Sequence, residues 1–144
     1  MIRNESFPNT DNFYEILDCE FARARRYGID VTLFFIKLGQ VEEIARKYGR
    51  LIATRILKDI SQLICQNIRQ ADRGFVYGSG EFMLILPYTS KSNAHCLISK
   101  LKPLIENYSF TDSSGGHFTF TPRFGVSSYH PDVQTGKEWR SVRK

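Results

Sequence analysis

A chain of 144 residues, 42% hydrophobic and 24% charged, has enough apolar material for one globular domain with a sizeable core. No apolar run approaches a membrane span, and the first residues lack a signal peptide's apolar core, so neither a membrane segment nor export is expected. The net charge of +5 suits an anionic partner. Its densest patches, Arg23/Arg25/Arg26, Arg46/Lys47/Arg50 and Lys137, Arg140, Arg143, Lys144, read as solvated faces and a tail. Zinc-finger spacing and an aromatic RNA-binding consensus are both missing, so nucleic acid is not an expected partner. Cys19, Cys65 and Cys96 are odd in number and far apart, which fits a reducing cytoplasm rather than a disulfide framework. With His95, His117 and His130 equally scattered, no metal site or other cofactor is expected.

Along the chain, Phe13, Ile16, Leu17, Phe21 and Ala24 recur at three- and four-residue steps and predict an amphipathic helix from Asn12 to Tyr27, stopped by Gly28. Val31–Leu38 is β-branched, aromatic and nearly all apolar, as a central strand covered on both faces requires. A short helix over Val41–Tyr48 ends at Gly49, and a longer one over Leu51–Ile68 carries Ile52, Ile56, Ile60, Leu63 and Ile64 on one stripe. Phe75–Tyr77 and Phe82–Leu86 are strands joined through Gly78-Ser79-Gly80, whose glycines permit the positive φ of a tight hairpin. A fourth helix follows over Ser92–Glu106, which Pro103 should kink or cut short. His117–Thr121 and Phe124–Tyr129 then form a closing pair of strands. The order is α-βααββαββ, an α+β fold with a mixed sheet and flanking helices. Residues 132–144 are polar and basic, with Trp139 as their one anchor, and are expected to form a poorly ordered tail behind a domain spanning residues 7–131.

The hexapeptide Tyr77-Gly78-Ser79-Gly80-Glu81-Phe82, followed by Met83–Leu86 and Pro87, resembles the signature hairpin of GGDEF (diguanylate cyclase-like) domains. Phe21-Ala-Arg-Ala-Arg-Arg-Tyr-Gly28 resembles that family's first helix, Tyr48-Gly49 the end of its next, and Phe124-Gly125-Val126-Ser127 its late strand. The shared spacing covers Asn9 to Tyr129 and implies the palm-like fold of nucleotidyl cyclases.

The resemblance also locates the family's functional positions, and most acidic ones have changed. The two Asp positions ending the first strand, one of which holds magnesium in the family, are Lys37 and Gly39 here. The guanine-contacting Asn and Asp fall at Ala45 and Thr54, and the third signature residue, normally acidic, is Gly80. Only Glu81 survives. The family's final helix, with its triphosphate-gripping residues, finds no full match in Glu138–Lys144. A Lys37–Glu81 pair across neighbouring strands is one expectation, and two solvated side chains are the other.

Arg69-Gln70-Ala71-Asp72 lies where the family carries its Arg-x-x-Asp inhibitory site for cyclic di-GMP. Taken alone, the spacing equally suits a simple surface ion pair worth under ~1 kcal/mol. Family register favours a site in which Arg69 and Asp72 read guanine, Lys100 stands at a family Arg position, and Arg73 adds a phosphate contact. The resemblance therefore implies a degenerate, non-catalytic GGDEF domain that binds cyclic di-GMP and signals to a protein partner. The alternatives are a nucleotide-free scaffold for self-dimerisation or protein interaction and, third, a residual cyclase.

Overall fold

The computed structural model describes residues 13–78, 80–111, 115 and 117–130. The expected tail over 132–144 and the last-helix comparison at 138–144 lie outside these residues. Helix α1 (Phe13–Tyr27) is followed by strand β1 (Val31–Leu38) and helices α2 (Gln40–Tyr48) and α3 (Arg50–Cys65). Next come β2 (Arg73–Val76), β3 (Glu81–Pro87), α4 (Lys91–Glu106), β4 (Ser109–Thr111), β5 (His117–Thr119) and β6 (Pro122–Tyr129).

The main sheet has the order β2-β3-β1-β6 and is antiparallel at every neighbouring pair, not mixed. The reason lies in the crossovers. The α2–α3 connection joins β1 to β2, and the α4 connection leads from β3 towards β6, so each links strands of like direction. The hairpin partner β3 separates β1 from β2, and β1 separates β3 from β6. This is a split β-α-β arrangement, in which parallel strands never become neighbours.

The sheet's two-residue period sorts its side chains into two cores. Val31 and Leu33 of β1, with Met83 and Ile85 of β3, pack against Phe13, Leu17, Phe21 and Ala24 of α1. Phe34, Ile36 and Leu38, with Phe82, Leu84 and Leu86, face the other way onto Ile56, Ile60 and Ile64 of α3 and Leu101 and Ile105 of α4. Burial on both faces explains why β1 and β3 read as continuous apolar runs.

Two further expectations are corrected. Of the two effects expected of Pro103, the shortening of α4 does not occur. The helix runs to Glu106, Pro103 sits in its last turn, and the Pro103 carbonyl still accepts a hydrogen bond from Asn107 N at 2.9 Å. Leu101 and Ile105, fully buried on either side, keep the turn against the core. Likewise, the closing pair of strands is not formed. β6 is occupied along its length by β1, from Val31↔Tyr129 to Leu38↔Pro122. β5 instead pairs with the short β4 in a separate two-stranded ribbon. Phe110 and Phe118 sit opposite each other there, with Arg55 over the Phe110 ring at 5.7 Å and Tyr48 against Phe118 at 4.9 Å. The Tyr108 hydroxyl, just before this ribbon, donates to Asp59 Oδ2 at 2.7 Å and ties the end of α4 to α3. Burial, then the hydrogen bond and charge of Asp59, push this phenol well above its usual range.

Candidate functional site

The candidate residues gather at two places: the end of β1 beside the hairpin, and a pocket between the α3–β2 loop and α4. At the first, Lys37 and Glu81 stand directly opposite in the β1–β3 register, and Lys37 Nζ lies 3.7 Å from Glu81 Oε2. This is an ion pair across neighbouring strands, at a separation too long for a strong hydrogen bond. Both side chains meet solvent, so its contribution is at most about 1 kcal/mol. Glu81→Gln is accordingly expected to lower the melting temperature by about 4 °C at most, less in 1 M salt, as differential scanning fluorimetry would show.

The turn joining β2 to β3 is closed by Tyr77 N donating to Glu81 O and Leu38 N donating to Gly80 O, both at 2.7 Å. Gly78 and Gly80 take φ of +74° and +78°, as the hairpin reading required. At Gly80 there is a further constraint: a Cβ would lie 2.5 Å from Leu38 O and 3.0 Å from Val41 Cβ. The position that is normally acidic in the resembling family thus has no room here for any side chain. Gly39 precedes α2, Ala45 is half-buried within α2, and Thr54 is exposed on α3.

The second place is built around Arg69, in the loop after α3. Asp72 N donates to Arg69 O at 3.1 Å and folds the loop into a turn. Asp72 Oδ2 then accepts from Arg69 N at 2.8 Å and Nε at 3.3 Å, and its Oδ1 from Arg69 Nη2 at 2.8 Å. Nη2 also donates to Thr89 Oγ1 at 2.7 Å and to the Pro87 carbonyl at the end of β3. Asp72 is buried, at 4% exposure, while the Arg69 side chain remains 50% exposed. The simple surface pair is therefore not what is found: a buried carboxylate fixes the plane of a half-exposed guanidinium, which is also anchored to the sheet.

Arg69 and Asp72 line an open pocket of about 340 Å³ together with Tyr88, Thr89 and, from α4, Asn93 and Lys100. The volume lies at the lower end of small-molecule sites. Three residues picked from sequence thus converge. Arg73, exposed at the start of β2, is not among the lining residues. Thr89 and Tyr88 escaped sequence reasoning, because nothing local in Pro87-Tyr88-Thr89-Ser90 marks Thr89 as a partner of Arg69, about twenty positions upstream, or Tyr88 as lining the same pocket.

The family described as "Diguanylate cyclase, GGDEF domain" matches residues 6–141. The chain belongs to the GGDEF family. Diguanylate cyclase DosC of Escherichia coli (strain K12) is 25% identical over 117 residues, covering 80% of this chain and 25% of DosC. Among solved structures, the GGDEF domain of DgcB from Caulobacter crescentus, in complex with c-di-GMP, superposes with a TM-score of 0.82 at 16% identity, over 98% of this chain and 82% of that one. Diguanylate cyclase SiaD from Pseudomonas aeruginosa, in complex with its activator SiaC, also gives 0.82, at 19% identity over 95% of this chain and 52% of that one. These structural likenesses establish the GGDEF fold, an α+β arrangement of a four-stranded sheet with flanking helices. The chain spans a quarter of DosC's length.

Within this GGDEF domain the end of β1 does not fit the magnesium that the family resemblance implies. Hard cations take several oxygen ligands. Among the described residues at the family positions there, the carboxylate is Glu81, facing the ammonium of Lys37. Among the described residues no cluster of three or more His, Cys, Asp or Glu could hold a metal ion. Among the same residues, no helix is long and apolar enough to cross a membrane.

Proposed function

We propose that this chain is a GGDEF domain without cyclase chemistry, a cytoplasmic receptor that binds cyclic di-GMP in the Arg69 pocket and relays its occupancy to a protein partner. The observation that carries this reading is the contrast between the two places. Arg69, Asp72 and Lys100 gather on one concave surface, while Lys37, at the position the family resemblance gives to a metal ligand, pairs with Glu81. Phosphoryl transfer of this class relies on divalent cations to neutralise the triphosphate and the attacking oxygen. A lysine in place of a ligand turns attraction into repulsion, on the order of 4 kcal/mol at contact with an effective dielectric of 20.

In the pocket, Nε and Nη2 of Arg69 already donate to Asp72, Pro87 and Thr89, so guanine is met by Nη1 or by the face of the guanidinium. Asp72 has both carboxylate oxygens engaged by Arg69, so its role is to aim that guanidinium rather than to meet the base itself. Lys100 supplies positive charge for a phosphate, without the geometry of the family's arginine. Arg73 is left with a peripheral phosphate contact. The receptor domain is assigned to residues 7–131, with 132–144 as its basic tail. The DgcB domain bound to c-di-GMP and SiaD bound to its activator are precedents within the fold for a ligand and for a protein partner.

Titration calorimetry with cyclic di-GMP tests the reading. Heat is expected with the wild type, weaker binding with Lys100→Ala, and none with Arg69→Ala. A flat wild-type titration would leave the nucleotide-free scaffold as the better account. Cyclic di-GMP appearing from GTP and magnesium above a no-protein blank would refute the loss of catalysis.

A further inference from the structure

Tyr88 is the one non-glycine residue with positive φ among the described residues, at +58°. A bulky side chain pays for that left-handed backbone unless its surroundings impose it, and such residues concentrate at ligand sites. Packing does not impose it here, because Tyr88 is 58% exposed. The backbone is instead pinned from behind: Tyr88 N donates to Asp30 O at 2.7 Å. Its two neighbours are both acceptors for Arg69, Pro87 through its carbonyl and Thr89 through its hydroxyl. One turn therefore holds the guanidinium and presents an exposed aromatic ring at the same pocket, with Lys100 across it on α4.

We propose that Tyr88 is the stacking platform of this pocket, receiving the flat face of a purine base of an anionic nucleotide while Arg69 reads that base's edge. The chemistry fits the position. An aromatic face gives a base sequence-tolerant stacking energy, the guanidinium supplies the edge donors, and the lysine neutralises phosphate. The strained backbone is then the cost of aiming a large ring where burial alone would not hold it. This inference rests on the receptor reading and adds the residue that holds the face of the base.

The test combines calorimetry with thermal melts on the wild type, Tyr88→Phe, Tyr88→Gly and Arg69→Ala, all with cyclic di-GMP. Tyr88→Phe keeps the ring and is expected to bind within about twofold of wild type. Tyr88→Gly relieves the left-handed strain, so its melting temperature should hold or rise while affinity falls about tenfold. Binding by Tyr88→Gly within twofold of wild type, with Arg69→Ala inactive, would overturn the stacking role and leave the receptor reading intact. A fall in both melting temperature and affinity would mark Tyr88 as a structural residue and equally overturn it. Wild type that does not bind would overturn both.

Discussion

Gly80→Asp, which writes the family's third signature carboxylate back into the hairpin, is expected to lower the melting temperature by about 8 °C, equivalent to about 2 kcal/mol in a chain of this size. It should yield no cyclic di-GMP from GTP and magnesium. Two independent penalties act on the same atom. The φ of +78° belongs to the left-handed region that favours glycine, and the new Cβ would meet the Leu38 carbonyl at 2.5 Å. That carbonyl belongs to the central strand, and Gly80 O in turn accepts from Leu38 N, so neither side yields without breaking the hydrogen bond between them. Because the clash begins at Cβ, Gly80→Ala should cost nearly as much as Gly80→Asp. Gly78→Ala should cost less, since a Cβ there meets nothing nearer than Glu81 Oε1 at 3.7 Å. Equal melting temperatures for wild type and Gly80→Ala, measured by calorimetry, would show that the turn opens freely and that the position is merely vacant of its acid.

The consequence reaches beyond one residue. If Gly80 only lacked a carboxylate, acidic residues could be placed at positions 37 and 80 together at no cost to the turn. With the hairpin closed over residue 80, a side chain there meets the Leu38 carbonyl and Val41. Lys37 faces Glu81 at the same end of the β1–β3 register.

How far the sequence foretold all this depends on the range over which each signal acts. Helices α1, α3 and α4 and strands β1 and β3 were legible because long apolar stripes with periods near 3.6 or near-continuous runs leave little ambiguity. Strand β4 was not, since Ser109-Phe-Thr111 is three residues with one apolar position and shows no period at all. Its existence depends on Phe118 opposite and on Arg55 and Tyr48 from helices far away in sequence. The Lys37–Glu81 contact was one of two expectations, and it follows from the β1–β3 register that sets the two residues opposite each other. Family register likewise located Arg69, Asp72 and Lys100. What it left out was burial: a three-residue spacing does not tell that Asp72 lies under the guanidinium, nor that Thr89 and Pro87 complete the cradle.

That burial sets the second large effect. Arg69→Ala removes the guanidinium contacts of a carboxylate that is 4% exposed, and is expected to destabilise the fold by about 2 kcal/mol, near the middle of the range for stranding a buried acceptor. Full cost for a buried ion pair would be higher, but half of the Arg69 side chain already faces solvent. Arg69 N continues to donate to Asp72 Oδ2 from the backbone and retains part of the carboxylate's stabilisation. Adding Asp72→Ala to the Arg69→Ala background should therefore recover roughly 1 kcal/mol, because no charge is then left buried. Asp72→Ala alone should cost less than Arg69→Ala, since the guanidinium keeps water, Pro87 and Thr89. Urea denaturation of the four proteins closes the cycle. Strict additivity would mean that the two side chains do not act as a unit, and the assignment of Asp72 as the residue that aims Arg69 would fall with it.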